Sequence, residues 1–176
     1  MNDQLIRRKR PLSLQEITLA QSIIVNAADW SKVLIADGAW WLVYPHTAIT
    51  CNNTIVFPRN YYQQDFSQCN LDMQAWFVHE LVHVWQHQHG FPILFAGVCL
   101  AIKGGYYRAR AYQYPDLSSI KSFDYLNMEQ QARVIQHYFL AKNGDRRYVK
   151  WLPQYRRLLK PLLQNPHNRH LLPRHY

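Results

Sequence analysis

The stretch Phe77-Val78-His79-Glu80-Leu81-Val82-His83-Val84-Trp85 places the pattern His-Glu-x-x-His inside an apolar run. Residues four apart lie one above the other on a helix, so His79 and His83 can offer two imidazole nitrogens to one ion. Glu80 lies beside them and need not be a ligand. In zinc hydrolases with this pattern the carboxylate takes a proton from a water that the metal has activated. The stretch therefore predicts a Zn²⁺ site with Glu80 as the catalytic acid/base.

An apolar stripe at helical spacing favours a helix here over a chance match to the pattern. Its members are Ala75, Val78, Leu81, Val82 and Trp85. Asn70 can cap the start of the helix, and Asp72 lies in the first turn, where the helix dipole favours an acid. Gly90 followed by Pro92 is typical of a helix end. We therefore predict a helix that begins after Asn70 and ends near Gly90.

The histidines at four-residue spacing do not all fit one ion. His79 and His87 are eight residues apart, which is about 12 Å along a helix. Only neighbouring histidines of this series can share a metal, and the pair His83 and His87 has no acid directly after its first member. We therefore predict that His79 and His83 bind the metal, and that His87 is a polar residue at the end of the helix.

Two residues are candidates for the third protein ligand. His89 matches the last histidine of the metzincin pattern, but Gln86 occupies the place of the glycine that allows the chain to turn there. Glu129 borders an apolar stripe on a second predicted helix, and a carboxylate in that place is costly unless it is paired or bound to metal. That stripe consists of Met128, Ala132, Ile135 and Phe139, with Gly144 as its terminator. Glu129 would give the His₂Glu set of gluzincins, and we prefer it, with His89 as the alternative.

The remaining chain predicts an α+β fold with a small antiparallel sheet ahead of the two helices. The capping box from Ser13 to Glu16 predicts a helix from Ser13 to Ala27. Four short apolar runs predict strands, and Asp37-Gly38 and Asn52-Asn53 predict turns. The runs are Val33–Ile35, Trp40–Tyr44, Ala48–Thr50 and Thr54–Phe57. We predict Thr54–Phe57 as an edge strand able to pair with an extended substrate.

Several separated blocks occur in one order between about Arg10 and about Lys142. They are Pro11-Leu12-Ser13, Asn53 to Pro58 with Tyr62 and Asp65-Phe66, His79 to His87, and Tyr125 to Ala132. This combination resembles the vgr-related zinc metallopeptidase-like proteins, and is similar to the metallopeptidase toxin domain of VgrG spike proteins of type VI secretion. The resemblance implies a zincin-like single domain with His79, His83 and Glu129 on Zn²⁺ and Glu80 as the acid/base.

The resemblance also implies an antibacterial effector role. The partners it implies are a peptide or protein substrate, an immunity protein, and a secretion spike or adaptor. We expect no spike domain ahead of these residues, and therefore delivery by a separate carrier. The first residues lack the apolar core of a signal peptide, so we expect synthesis in the cytoplasm of the producing cell and delivery to the periplasm of a target cell.

Length and composition suit one compact domain, since the chain has 176 residues and 48% hydrophobic content. We place the metallopeptidase domain at residues 1–145 and a basic tail at residues 146–176. The three cysteines, Cys51, Cys69 and Cys99, have no metal-type spacing and are predicted to be reduced thiols.

The tail carries much of the formal net charge of +9, because it has eight Lys or Arg and no acid. It could contact anionic lipid, cell wall or an acidic partner, whereas no reader motif supports nucleic-acid binding. Its apolar side chains predict packing on the domain or on a partner. Four prolines, Pro153, Pro161, Pro166 and Pro173, are expected to break any long helix there.

The segment Phe91 to Ile102 is almost wholly apolar but too short to span a bilayer as a helix. We predict a buried helix, with a lid or a membrane-contacting loop as the alternative, and Gly104-Gly105 as a hinge. Several tyrosines follow, and a tyrosine hydroxyl could stabilise the oxyanion that develops at the metal. Tyr112 and Tyr114 are our candidates for that role.

The sequence thus predicts a zinc-dependent metallopeptidase-type hydrolase. A noncatalytic zinc-stabilised binding or adaptor module is one alternative, and Glu80 distinguishes the two because a structural site needs no acid beside an open coordination position. A cell-wall peptide amidase is the other alternative, since it uses the same metal chemistry and would suit the basic tail.

Overall fold

The computed structural model describes residues 6–38 and 47–176, with side chains described from residue 8 onward. The strand predicted over Trp40–Tyr44 lies outside the described residues. The rest of the chain forms an α+β domain with one main hydrophobic core, as the sequence predicts.

A mixed sheet, with four strands in the part of the chain that the structure describes, forms one layer of the domain. Its strands are β1 (Ile6–Pro11), β2 (Leu34–Gly38), β3 (Ile49–Cys51) and β4 (Thr54–Pro58), in the order β1-β2-β4-β3. β1 pairs with β2 and β3 pairs with β4 in antiparallel fashion, whereas β2 and β4 are parallel. The prediction of an antiparallel sheet is therefore wrong.

The sheet is mixed because β3 and β4 form a hairpin, and β4 of this hairpin pairs with β2 in parallel. The predicted turn at Asn52-Asn53 is present, with Asn52 in the left-handed region at φ 53°. Since β4 then lies between β2 and β3, it is an inner strand, and the prediction of Thr54–Phe57 as an edge strand is also wrong. Within the described residues the edges are β1 and β3.

β1 is a basic strand that the sequence pattern did not predict, and buried acids hold it in place. The backbone N–H of Arg8 donates to Asp37 Oδ1 at 2.7 Å, and its Nε donates to Asp37 Oδ2 at 2.9 Å. Arg10 donates through both terminal nitrogens to the buried carboxylate of Glu16, at 2.7 and 2.8 Å. Asp37 and Gly38 are thus the last residues of β2 and do not form the turn predicted for them.

Five α-helices among the described residues complete the domain. They are α1 (Leu14–Ile23), α2 (Leu71–Gln88), α3 (Ile93–Ile102), α4 (Met128–Lys142) and α5 (Leu152–Gln164). The capping box of Ser13 and Glu16 is confirmed, although α1 ends at Ile23 and not at Ala27. Asn70 caps α2 by accepting from Met73 N, and Gly90 follows the end of α2 at φ 94°, as predicted.

α2 packs against both α4 and the sheet, and this arrangement positions the site. Every residue from Phe77 to Gln86 is buried, so this part of α2 lies inside the domain. One side faces β3 and β4 and another faces α4. The histidine pattern on α2 and the acid at the start of α4 are therefore brought together across a helix–helix interface.

α5 and α3 differ in how they meet the core. Tyr155, Leu158, Leu159 and Leu162 of α5 are buried in the main cluster. Pro161 lies inside α5 and does not end it, contrary to the expectation for the prolines of the tail. α3 was predicted to be a buried helix, but only one of its sides is buried. No helix among residues 6–38 and 47–176 is long and apolar enough to cross a membrane.

Candidate metal centre

Three donor atoms from α2 and α4 converge in the domain interior. His79 Nε2 lies 3.1 Å from Glu129 Oε2, His83 Nε2 lies 3.2 Å from the same oxygen, and the two nitrogens are 3.3 Å apart. All three side chains are buried. This is the donor set that the sequence analysis preferred.

The triangle of donor atoms has the size that a zinc ion needs. Around a tetrahedral Zn²⁺ with bonds of about 2.0–2.1 Å, neighbouring ligand atoms lie about 3.3–3.4 Å apart. The three measured separations, from 3.1 to 3.3 Å, approach this value. Two imidazole nitrogens and one carboxylate oxygen are also a usual zinc donor set. The residues present therefore fit this metal.

The charges of the three side chains favour a cation between them. Burial lowers the pKa of His83, but the Glu129 carboxylate outweighs burial and raises that pKa to about 9. Burial in turn raises the pKa of Glu129, but His83 and His79 hold it well below its usual range. Glu129 is therefore an anion at neutral pH, and it stabilises positive charge at the point where the donors meet.

A chain of two glutamines fixes the orientation of the His83 ring. Gln86 Nε2 donates to Met128 O at 3.2 Å and to Gln131 Oε1 at 3.0 Å. The amide oxygen of Gln86 therefore faces His83 Nδ1, 2.9 Å away, and accepts its proton. Because Gln86 holds the proton on Nδ1, Nε2 is the nitrogen of His83 that would give up its proton to a bound metal, and it is directed at the donor triangle.

The second glutamine is held just as firmly. Gln131 Nε2 donates to two backbone carbonyls, Phe123 O at 3.0 Å and Leu171 O at 2.8 Å, which leaves its oxygen for Gln86. Both glutamines are fully buried. In the sequence, Gln86 stands out only as a departure from the metzincin glycine. The available signal was an uncharged polar residue three positions after His83, on the same side of the predicted helix as the two histidines.

Replacing Gln86 with leucine should weaken zinc binding by about 10–100-fold, the usual effect of losing the partner of a ligating histidine. Gln88→Leu is the matched control, since Gln88 lies on the same helix but bonds Asp29 and Asn53. Competition with a chelating dye measures the affinity, and circular dichroism checks that both variants fold. Equal zinc affinity of the two variants would contradict the orienting role of Gln86.

Glu80 follows His79 on α2, and a residue of the sheet bonds its side chain. Its side chain is buried, and Thr50 Oγ1 donates to Glu80 Oε2 at 2.8 Å. Thr50 is the middle residue of β3, thirty positions before Glu80, so no local pattern in the sequence could have indicated this contact. The hydroxyl restricts the carboxylate to one orientation beside the donor triangle.

Tyrosines close another side of the site. Tyr106 Oη donates to Glu129 Oε1 at 3.1 Å, the carboxylate oxygen that does not face the histidines. The ring of Tyr112 lies 5.9 Å from the ring of His79 and 6.0 Å from that of Tyr106. Burial and the Glu129 charge raise the pKa of both tyrosines above the usual range, so both hydroxyls are available as donors.

Of the two predicted tyrosines, the structure brings only Tyr112 to the triangle. The hydroxyl of Tyr114 contacts His137 Nδ1 at 2.6 Å and Tyr155 Oη at 2.8 Å. It belongs to a packing network between α4 and α5. Tyr106, which the sequence analysis did not choose, occupies the position on Glu129.

His89 does not join the metal centre. It caps the C-terminus of α2, where its Nδ1 lies 2.9 Å from Trp85 O and donates to it, and its Nε2 lies 3.4 Å from His167 Nδ1. His87 lies in the last turn of α2, as predicted. The structure thus places Glu129, and not His89, beside the histidine pair.

Two comparisons relate the chain to known proteins. It is 33% identical over 142 residues to the type VI secretion system spike protein VgrG2b of Pseudomonas aeruginosa. Its structure matches the solved effector domain of Pseudomonas aeruginosa VgrG2b with a TM-score of 0.66 and 29% sequence identity, covering 86% of this chain and 82% of that one. The chain is homologous to the VgrG2b effector domain. No protein-family model matches it.

The alignment covers 76% of this chain but only 13% of VgrG2b. The homology therefore concerns the effector domain and not the whole spike protein. The separated sequence blocks predicted a resemblance to a VgrG effector domain. The two comparisons confirm that resemblance.

Proposed function

We propose that the chain is a zinc-dependent metallopeptidase-type hydrolase and an antibacterial effector of type VI secretion. The observation that carries the enzymatic part is the convergence of His79 Nε2, His83 Nε2 and Glu129 Oε2 within 3.3 Å, with Glu80 beside them. Homology to the VgrG2b effector domain supports the effector part. The proposed partners are a peptide or protein substrate in the target periplasm, a spike or adaptor, and an immunity protein.

A Zn²⁺ ion held by His79, His83 and Glu129 would supply a Lewis acid that acidifies water and polarises a substrate carbonyl. Glu80 is the proton carrier. Its carboxylate, oriented by Thr50, accepts the proton of the attacking water and returns it to the leaving amine. Tyr112 supplies a hydroxyl that can donate to the carbonyl oxygen as negative charge develops there. Tyr106 acts indirectly, because it holds the far oxygen of Glu129.

Burial of Glu80 favours this proposal over a noncatalytic zinc module. An ionised carboxylate removed from water is costly unless it is compensated, and a structural zinc site gains nothing from it. Here Thr50 donates to the carboxylate, and a Zn²⁺ ion held by the neighbouring side chains would add the compensating positive charge. An amidase acting on cell-wall peptides would use the same residues. Assays with muropeptides and with protein substrates distinguish the two enzymes, because the amidase would cleave the muropeptides and the peptidase would cleave the proteins.

Expression of the chain in the periplasm of a Gram-negative host tests the proposal as a whole. With a cleavable leader attached, the unaltered chain should arrest growth, whereas Glu80→Gln at the same level should not. Asp72→Asn is the matched control, because it removes an exposed carboxylate from the first turn of the same helix and should leave toxicity intact. Growth arrest by Glu80→Gln equal to that of the unaltered chain would refute the hydrolase.

A further inference from the structure

The outer face of α3 carries a stripe of large apolar side chains in solvent. Its members, called here the α3 stripe, are Leu94, Phe95, Val98 and Ile102, which are 49%, 60%, 57% and 82% exposed. Positions 94, 98 and 102 repeat every four residues and Phe95 adjoins them, so the four share one face of the helix. The opposite face, with Ile93, Ala96 and Leu100, packs in the small core cluster. α3 is thus apolar on both sides, and the domain covers one of them.

Exposed cations and a tyrosine follow the stripe directly. Lys103, Arg108 and Arg110 are exposed, and Tyr107 is 60% exposed. The guanidinium carbons of Arg108 and Arg110 lie 5.3 and 5.6 Å from the centre of the Tyr107 ring. The sequence contains no Asp or Glu between Glu80 and Asp116. Tyr176 lies beside this segment, since its main-chain oxygen accepts from Lys103 Nζ at 2.6 Å and its ring lies 5.3 Å from that of Phe95. Arg108 and Arg110 therefore supply the positive charge that follows the apolar side chains.

These features together match a surface that lies on an anionic bilayer. Interfacial helices insert an apolar face while Lys and Arg remain at headgroup level, where tyrosines are also enriched. The ten residues of α3 span about 15 Å, half of the hydrocarbon thickness, so the helix can lie on a bilayer but cannot cross it. We propose that the α3 stripe, with Arg108 and Arg110, docks the chain on an anionic lipid surface.

The docking surface adjoins the metal centre. A Cβ atom at Gly97, within α3, would lie 3.6 Å from both Tyr106 Oη and Met128 Cε. Tyr106 donates to Glu129, and Met128 precedes Glu129 in α4. Docking through α3 would therefore hold the centre close to the lipid surface and favour substrates anchored in or beside a membrane. The docking itself goes beyond the proposed hydrolysis and does not depend on it.

Co-sedimentation with vesicles tests the docking, using the full chain with Glu80→Gln so that hydrolysis plays no part. Vesicles of phosphatidylglycerol and phosphatidylethanolamine should bind the chain at least about tenfold more tightly than vesicles of phosphatidylcholine alone. Phe95→Asp with Val98→Asp should weaken binding to the anionic vesicles by about tenfold or more. Leu14→Asp is the matched control, since Leu14 is 78% exposed on α1, and it should leave binding unchanged.

Charge reversal tests the contribution of the two arginines to lipid binding. Arg108→Glu with Arg110→Glu should weaken binding to the anionic vesicles by about tenfold, whereas Arg156→Glu with Lys160→Glu on the exposed side of α5 should have a smaller effect. Circular dichroism establishes that each variant folds, which is expected because every altered side chain is exposed.

Three results would overturn the proposal. The chain could fail to bind anionic vesicles, or Phe95→Asp with Val98→Asp could bind as tightly as Leu14→Asp. In the third, light scattering would show a dimer that the stripe variant converts to a monomer, without lipid binding by either form. A second copy of the chain would then occupy the stripe.

Discussion

Replacing Glu80 with glutamine is expected to lower kcat by about 10²–10⁴-fold, the contribution of a positioned general acid/base, while one zinc remains bound per chain. Glutamine has nearly the same volume and can still accept from Thr50 Oγ1 through its amide oxygen, but it cannot carry the proton. Cleavage of a quenched peptide library measures the rate, and elemental analysis measures the zinc. Both measurements use the same protein preparation.

Thr50→Val provides a graded companion to this variant. It removes the hydroxyl that orients Glu80 but leaves the carboxylate, so we expect a smaller loss of kcat, about tenfold, with zinc again retained. Glu80→Gln that keeps full activity would contradict the proton-transfer role. Glu80→Gln that loses its zinc would show that Glu80 is a ligand, which the account excludes.

Glu129→Ala is expected to reduce zinc affinity by more than about 100-fold, because it removes one of the three proposed protein ligands. Loss of a residue that only orients a ligand costs about 10–100-fold. Glu129→Ala also removes the anion that raises the pKa of His83 to about 9. Glu129→Gln keeps the volume and separates loss of the carboxylate from loss of packing, and we expect it to lose most of the zinc as well.

His89→Ala is the matched control for this experiment, because His89 is the other ligand candidate in the sequence. Its ring bonds Trp85 O and lies near His167, so its removal should leave zinc stoichiometry unchanged. Zinc retained by Glu129→Ala and lost by His89→Ala would reverse the assignment of the third ligand.

The local parts of this site can be predicted from sequence because they depend on helix geometry. The spacing of His79 and His83 places them on one face, and the apolar stripe beside Glu129 indicates that this acid lies at a buried margin. Asn70 and Gly90 set the ends of α2 through short-range contacts. These features need no knowledge of the tertiary fold.

The parts that sequence reasoning missed depend on contacts between distant segments. Thr50 reaches Glu80 only because β3 lies beside α2, and Tyr106 reaches Glu129 only because the chain after α3 returns to α4. Strand order is a long-range property too. Pairing strands in chain order gave an antiparallel sheet, whereas the β3–β4 hairpin joins β2 through β4.

α3 shows a related limit of composition. Its ten residues are nearly all apolar, which predicted burial, but a helix on the edge of a small domain can bury only one side. The exposed side becomes visible only when the position of α3 is known. β1 is a further case, since no apolar pattern predicted a strand there, and Asp37 and Glu16 pair with its arginines.

The central claim is that His79, His83 and Glu129 bind one zinc ion. Anomalous diffraction from a crystal of the zinc-loaded chain, recorded on both sides of the zinc absorption edge, tests it most directly. We predict one zinc peak with His79 Nε2, His83 Nε2 and a Glu129 oxygen at about 2.0–2.2 Å, and with Glu80 beside the open coordination position. A peak between His89 and His167 instead, or no peak within the His79, His83 and Glu129 triangle, would contradict the account.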